Sequence, residues 1–124
     1  MAKVLGIGGV FFKAADPKVV RDWYIRVLGF DINSWGGVTW PEPAVTHHGV
    51  WTVFEASSDY FAPSASPFMI NFVVDDLAGV LAKAKAAGAE PVGESSDSEY
   101  GRFGWLMDPA GVKIELWEPP ADET

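Results

Sequence analysis

The sequence contains no cysteine and has few basic residues. Without cysteine the chain has no disulfide framework, no thiolate nucleophile and no cysteine-based metal site. Lysine and arginine total 9 against 17 aspartates and glutamates, which gives a formal net charge of -8 with no long run of one sign. Nucleic-acid binding needs a basic face, so this balance argues against a nucleic-acid partner.

The sequence also lacks a long hydrophobic run. No stretch approaches the roughly 20 consecutive apolar residues of a membrane span. The first residues, MAKVLG, lead into a predicted strand without the charged, apolar and small-residue pattern of a signal peptide. We therefore expect a cytoplasmic protein without a membrane partner.

The remaining composition is that of one globular domain with many large aromatic residues. A chain of 124 residues is close to the commonest domain length, and 48% apolar with 21% charged residues is ordinary. Tryptophan occurs 6 times and phenylalanine 8 times. Large aromatic side chains recur in binding clefts and also fill cores, so they indicate either a ligand pocket or a core of bulky side chains.

The second half of the chain predicts a strand, a helix and three more strands. Residues 68–74 form an apolar run rich in β-branched and aromatic residues, which favours a strand. Asp75 and Asp76 are both suited to cap the following helix, whose apolar residues recur at three- and four-residue spacing over 77–87. Gly88 suits the left-handed position that ends a helix. Further on, the turn signal DPAG at 108–111 precedes a strand of alternating apolar and polar residues.

The same pattern occurs earlier in the chain. Residues 9–16 align with 69–76, so that apolar residues, a phenylalanine and a capping aspartate fall in register, and residues 28–31 align with 87–90. A self-match at a fixed offset is the signature of a repeated structural unit. We therefore predict an α+β fold of two tandem βαβββ modules. Module one spans about residues 4–56, a linker about 57–67 and module two about 68–119.

Local signals predict the elements of module one. Asp16 begins a helix that Gly29 ends, and the two glycines at 36–37 suit a hairpin turn. Within the linker, Tyr60 and Phe61 are too apolar for a free tether, so we expect them to pack against the rest of the protein. The predicted strands of module one are residues 4–14, 30–35, a segment that starts at 38–40, and 50–56.

Two short motifs, each placed correctly in this repeat, carry a family resemblance. They are LGF at 28–30 and DPAGVKIEL at 108–116. With them, residues 4–119 resemble the vicinal oxygen chelate superfamily, which includes glyoxalase I, extradiol dioxygenases, fosfomycin-resistance enzymes and bleomycin-resistance proteins. The resemblance implies that the two modules form mixed sheets curving into a half-barrel cleft. It also implies a homodimer, with clefts formed within one chain or between two.

The resemblance raises the question of a metal site. In metal-dependent members the ligands come from the first and last strand of each module, as histidine or glutamine and as glutamate. The matching positions in this sequence are Gly9, Glu55, Met69 and Glu115. Glycine offers no donor, and a thioether is ill suited to hard divalent ions. We therefore expect no cofactor, and a rebuilt divalent metal site is the alternative.

His47 and His48 are the only histidines of the chain. They lie where a turn between two strands is predicted, which favours exposed side chains at the rim of the cleft. The functional alternative is that one of them replaces a metal ligand or acts as a general base, since imidazole titrates near neutral pH.

Four polar residues on the predicted cleft strands are candidates for ligand contact or catalysis. Glu115, on the cleft floor, could act as a general base or a cation anchor, or it could only pair with Lys13 or Lys113. Glu55 is its counterpart in module one. Lys13 could neutralise a carboxylate or hold an anionic group, and Asn71 could donate a hydrogen bond to a ligand.

An apolar lining completes the predicted site. Strand alternation gives Phe103, Trp105 and Met107 the cleft-facing parity, although a bulge at Gly101 or Gly104 would reverse it. The alternative is that a dimer partner fills this surface. The predicted lining comprises Phe11, Met69, Phe103, Trp105, Met107 and Trp117.

Three functions are consistent with this site, and we rank them in this order. The first is a metal-free binding protein, similar to the bleomycin-resistance members, which holds a small aromatic or cationic ligand between aromatic walls. The second is an enzyme of the superfamily, a glyoxalase-like lyase or isomerase or a dioxygenase-like protein, with a rebuilt metal site or Glu115 as general base. The third is a partner protein whose cleft is filled by its own side chains.

Overall fold

The computed structural model describes residues 10–40 and 49–120. Predictions that concern Gly9, His47 and His48 lie outside the described residues. In chain order the elements are α1 (Pro17–Leu28), β1 (Met69–Val73), α2 (Leu77–Ala86), β2 (Ser96–Ser98), β3 (Gly101–Met107) and β4 (Lys113–Glu118). The strand, helix and three strands predicted for the second half are therefore confirmed.

The four strands form one mixed sheet in the order β1, β4, β3, β2. β1 and β4 are parallel neighbours, whereas β4 with β3 and β3 with β2 are antiparallel neighbours. Parallel neighbours require a long crossover, which α2 and the two intervening strands provide, and antiparallel neighbours need only short turns. The sheet is not closed, and this α+β architecture confirms the predicted fold class.

Both helices begin where short sequence signals predict. The Asp16 carboxylate accepts a hydrogen bond from the Val19 amide, and the Asp76 carboxylate accepts one from the Gly79 amide. Gly29 ends α1 with a φ of 71°, a left-handed conformation that glycine adopts without steric cost. In the described part of the chain, no helix is long and apolar enough to cross a membrane.

The core lies between the two helices and one face of the sheet. Leu106, Ile114 and Leu116 are almost completely buried, and they alternate along β3 and β4 with side chains of the opposite face. Burial of such a side chain stabilises the fold by roughly 1.5–3 kcal/mol. Because the helices cover only this face of the sheet, the opposite face is the candidate location for a functional site. The helices contribute Val20, Trp23, Tyr24 and Val27 from α1 and Leu77 and Ala84 from α2.

The first half of the chain differs from its prediction. Residues 10–14, 30–35, 38–40 and 50–56 form no strand in the described structure, although their apolar patterns predict strands. A strand needs a neighbour with which to exchange ladder hydrogen bonds, and none of these segments is paired with the sheet. Their side chains are largely exposed, with Phe11 reaching 92%. Over the described residues these strand predictions are wrong, residues 4–9 of the first predicted strand lie outside them, and the division into two modules stays a prediction.

A buried hydrogen bond joins α1 to the turn that precedes β4. Tyr24 Oη donates to Asp108 Oδ2 at 2.6 Å, and Asp108 Oδ1 accepts from the Ala110 and Val112 amides at 2.9 Å each. Desolvation, together with the hydrogen bond to Asp108, raises the pKa of Tyr24 well above its usual value. Through this bond, the first half of the chain is anchored to the second.

Replacing Tyr24 with phenylalanine removes this hydrogen bond. The change leaves a buried carboxylate oxygen without its donor, so we expect Tyr24→Phe to lower the free energy of unfolding by about 1.5–3 kcal/mol. Urea unfolding at neutral pH measures the loss. Tyr100→Phe is the matched control, because Tyr100 is 67% exposed, and a change within about 0.5 kcal/mol is expected there. Equal effects of the two substitutions would contradict the anchoring role.

The raised pKa of Tyr24 also predicts a loss of stability in alkali. The tyrosine ionises in the unfolded chain near pH 10 but stays protonated in the fold, so its contribution is complete below pH 10 and declines above it. Between pH 9 and pH 11 the unfolding free energy should fall by about 1.4 kcal/mol more in the wild type than in Tyr24→Phe. Parallel pH profiles of the two proteins would contradict this expectation.

Candidate functional site

The face of the sheet opposite the helices carries polar and aromatic side chains in register. In β4, Glu115 pairs with Asn71 of β1 on one side and with Trp105 of β3 on the other. Directly paired residues of neighbouring strands point to the same side of a sheet. We call this side the open face. Its residues on the three strands are Met69, Asn71, Val73, Phe103, Trp105, Met107, Lys113, Glu115 and Trp117.

Glu115 is the central polar group of the open face, and it is only 7% exposed. Its Oε1 accepts from Asn71 Nδ2 at 2.7 Å. Its Oε2 accepts from Tyr60 Oη at 2.5 Å and from Trp105 Nε1 at 2.9 Å. A carboxylate removed from water is costly unless donors replace the solvent, and these three donors do so. Glu115 thereby fixes the orientation of three side chains from three separate segments.

Lys113 places a buried cation beside this carboxylate. Its ammonium donates to the Tyr60 carbonyl oxygen at 2.7 Å, and it lies 5.3 Å from the Tyr60 ring centroid and 5.5 Å from that of Trp105. Both rings are within cation–π range. Desolvation lowers the pKa of Lys113, and the negative charges of Glu115 and Asp59 act against that shift. The open face therefore carries both signs of charge.

Three aromatic rings follow one another across the open face, and we call them the aromatic row: Trp105, Phe103 and Trp117. The Trp105 and Phe103 ring centroids are 6.5 Å apart with an interplanar angle of 13°, and those of Phe103 and Trp117 are 6.2 Å apart at 7°. All three rings are half-buried. Trp117 Nε1 donates to the Tyr100 carbonyl oxygen at 2.8 Å. The open face therefore carries a row of three near-parallel aromatic rings.

The predicted linker 57–67 packs against this face through its aromatic residues. The Tyr60 ring contacts Trp105 edge-on, with centroids 6.2 Å apart at 87°, and it stacks on Phe54 at 5.5 Å and 17°. Phe61 also contacts Phe54, at 5.1 Å. The expectation that Tyr60 and Phe61 pack against the protein is confirmed.

The structure brings some of the predicted site residues together and leaves others apart. Glu115, Asn71 and Trp105 are hydrogen-bonded to one another, and Met69, Phe103 and Trp117 share their face. The side chains of the remaining three are exposed, and none of the described hydrogen bonds or ring contacts joins them to the open face. Those three are Phe11, Lys13 and Glu55.

Sequence reasoning missed Tyr60 as a member of the site and considered Lys113 only as a possible partner of Glu115. Lys113 precedes Glu115 by two residues in the same strand, so the alternation of side chains could have placed both on one face. For Tyr60 the only signal is an aromatic residue within a polar segment, and no local pattern relates it to a carboxylate 55 residues away.

The side chains that could act as metal ligands in the described residues do not fit the metal site that the superfamily implies. Both oxygens of Glu115 already accept hydrogen bonds, and Met69 offers only a soft thioether. Glu55 is exposed and has no described contact with Glu115. Among residues 10–40 and 49–120, no group of three or more histidine, cysteine, aspartate or glutamate side chains is positioned to hold a metal ion.

Two depressions of the protein surface lie away from the open face. The first, about 390 Å³, adjoins the end of α2 and is lined by Lys85 and residues 88–91. The second, about 270 Å³, lies between α2 and the edge formed by β2 and is lined by Leu77, Ala78, Leu81, residues 95–97 and Arg102. Neither of these two depressions includes a residue of the open face.

The fold agrees with what comparisons with known proteins show. The family model for a glyoxalase-like domain matches residues 9–117, and the chain belongs to this family. No curated protein sequence matches the chain.

Several solved structures share the fold. TnmS3, an antibiotic binding protein from Streptomyces sp. CB03234, is 23% identical with a TM-score of 0.54, and the match covers 86% of this chain and 89% of that one. A glyoxalase/bleomycin resistance protein from the same organism is 23% identical with a TM-score of 0.52, covering 85% and 93%. An integron cassette protein from V. cholerae is 17% identical with a TM-score of 0.55, covering 92% and 97%.

Removing the charge of Glu115 tests its role in the open face. In Glu115→Gln the amide nitrogen can no longer accept hydrogen bonds, and the Lys113 ammonium loses a nearby negative charge. We expect the free energy of unfolding to fall by about 2–4 kcal/mol, measured by urea unfolding. Glu55→Gln is the matched control at an exposed site and should change it by less than about 0.5 kcal/mol. An unchanged free energy of unfolding in Glu115→Gln would contradict the role given to the carboxylate.

Proposed function

We propose that the protein binds a small aromatic ligand on the aromatic row of its open face, without a metal ion. The observation that carries the proposal is the near-parallel arrangement of three half-buried rings beside a buried carboxylate. Aromatic pairs in offset-stacked or edge-to-face geometry stabilise a complex beyond the area that they bury. A row of rings held in fixed orientation therefore favours planar ligands, because it loses little freedom on binding.

The family supports small-molecule binding as a use of this fold. TnmS3, which shares the fold at 23% identity, is an antibiotic binding protein. At that identity the likeness concerns the fold, so the choice of an aromatic ligand rests on the rings of this chain.

The charges near the row favour ring contacts over ionic contacts as the main source of affinity. Glu115 already accepts three hydrogen bonds, and Lys113 balances part of its charge. A cationic ligand would gain mainly from the faces of the tryptophan rings, where cation–π contacts contribute roughly 0.5–2 kcal/mol. We therefore propose that the affinity depends more on the aromatic rings of the ligand than on a positive charge.

The enzyme alternative finds less support in this geometry. A carboxylate has about four acceptor positions, and three donors occupy all but one of those of Glu115. A general base must present a free lone pair to the substrate proton within hydrogen-bond reach. The contacts of Glu115 favour a structural anchor over a general base. The side chains available as metal ligands favour a metal-free site over a rebuilt metal site.

We also propose that the protein forms a homodimer. Large apolar side chains of the first half are exposed in the single chain, among them Phe11 at 92%, Trp51 at 77% and Val53 at 75%. Contiguous exposed apolar surface is typical of protein interfaces. A second copy that covers these segments would bury them. It could also supply side chains that face the open face across the ligand site.

The binding proposal predicts measurable affinity for planar aromatic probes in the presence of EDTA. Equilibrium dialysis with proflavine, a tricyclic cation, and anthraquinone-2-sulfonate, a tricyclic anion, should show saturable binding of at least one probe. Phe103→Leu removes the middle ring of the row and should weaken that binding by about tenfold, since one stacking contact contributes about 0.5–1.5 kcal/mol in addition to its buried area.

Phe68→Leu is the matched control, because Phe68 precedes β1 and is 37% exposed. It should leave the affinity within about twofold of the wild type, a change worth less than 0.5 kcal/mol. Binding of neither probe, or equal losses in the two variants, would contradict the proposal. Affinity that disappears with EDTA would show instead that a metal ion is required.

A further inference from the structure

The Tyr60 side chain makes three contacts with residues of the open face, in addition to its stacking on Phe54. Its hydroxyl donates to Glu115 Oε2 at 2.5 Å, and its ring contacts Trp105 edge-on at 6.2 Å. The Lys113 ammonium lies 5.3 Å from the centre of the same ring. A buried acceptor for the hydroxyl, an aromatic wall and a cation near the ring are the three contacts by which a protein would recognise a hydroxylated aromatic ring.

The walls of this site and its occupant belong to different parts of the fold. Glu115, Trp105 and Lys113 lie on the paired strands β3 and β4 and are held by the sheet. Tyr60 lies in a turn of the segment 57–67, which contains no helix or strand, and its side chain is 37% exposed. Displacing a turn residue costs less than disturbing a paired strand, because fewer backbone hydrogen bonds must be broken.

The groups around the phenol keep it in the neutral, donating form. Among the described residues, Glu115 acts on the phenol, Lys113 lies 5.3 Å from the centre of its ring, and Asp59 acts on Lys113. Burial, together with the hydrogen bond to Glu115, raises the pKa of Tyr60 well above its usual value. A phenolic ligand in the same position would likewise keep its proton and donate a hydrogen bond to the carboxylate.

We propose that Tyr60 fills a phenol subsite at the end of the aromatic row, and that a hydroxylated aromatic ring of the ligand takes its place. This inference rests on the proposed function, and it names the ligand class as aromatic compounds with a phenolic hydroxyl. The hydroxyl of the ligand replaces that of Tyr60 on Glu115, and the rest of its ring system extends over Phe103 and Trp117. The segment 57–67 then acts as a strap that is released when ligand binds.

The test removes the occupant and offers its side-chain analogue. Tyr60→Ala should bind p-cresol at least about tenfold more tightly than the wild type does, because the subsite is vacant. The same variant should bind p-cresol at least about tenfold more tightly than toluene, which lacks the hydroxyl that Glu115 accepts. The readout is the indole N–H resonance of Trp105, assigned with Trp105→Phe and followed during titration with each probe.

Two matched variants separate the subsite from general effects. Tyr100→Ala makes the same change at a residue that is 67% exposed, and it should bind p-cresol no better than the wild type. Tyr60→Phe keeps a ring in the subsite but loses the hydrogen bond to Glu115, so its affinity for p-cresol should lie between those of the wild type and Tyr60→Ala. A similar gain in Tyr100→Ala, or equal affinities of Tyr60→Ala for p-cresol and toluene, would overturn the proposal.

A measurement on the wild-type sequence keeps the proposal testable if Tyr60→Ala does not fold. The chain has 3 tyrosines, so incorporation of 3-fluorotyrosine gives three fluorine signals. High concentrations of p-cresol should move the signal of Tyr60 towards that of an exposed tyrosine and leave buried Tyr24 unchanged. No movement of the Tyr60 signal at saturating p-cresol would overturn the proposal.

The outcomes also separate this inference from the broader proposal. If the tricyclic probes bind through Phe103 while p-cresol does not distinguish Tyr60→Ala from the wild type, the phenol subsite alone is wrong. If neither the tricyclic probes nor p-cresol bind, the aromatic-ligand proposal is wrong as well.

Discussion

The organisation of the open face depends on one buried acceptor, the carboxylate of Glu115. It lies in the middle of β4 and receives donors from β1, from β3 and from the segment 57–67. Each donor is a side chain whose direction would otherwise be set only by packing. By accepting from Trp105 Nε1, the carboxylate fixes the first ring of the aromatic row, and the other two rings follow it in near-parallel orientation. The proposed site for a planar ligand would therefore depend on a charge that does not need to touch the ligand.

The same strand serves the core and the site because its side chains alternate. Ile114 and Leu116 point towards the helices and are almost completely buried, while Lys113, Glu115 and Trp117 point to the open face. Chemistry on the open face can therefore change with little effect on the core. This separation explains how one glyoxalase-like fold can support binding or catalysis, according to the residues that its open face carries.

The parts of the structure that local signals specify could be predicted from the sequence. Asp76 caps a helix and Gly111 lies in a turn, as predicted. The alternation of side chains predicted that Phe103 and Trp105 share one face, and both lie on the open face. The strands of the first half could not be predicted correctly, because strand formation depends on a neighbour that an alternating pattern does not reveal. The contact of Tyr60 with Glu115 depends on how a turn folds back over the sheet, which sequence separation hides.

The central claim is that the oxygens of Glu115 are held by protein donors rather than by a metal ion. Paramagnetic Mn²⁺ added to the protein while the indole N–H resonance of Trp105 is observed tests this claim most directly, because that group donates to Glu115 Oε2 at 2.9 Å. The account predicts that the resonance stays sharp at equimolar Mn²⁺. Broadening of this resonance at substoichiometric Mn²⁺, with the other indole signals unaffected, would show an ion bound at Glu115 and contradict the account.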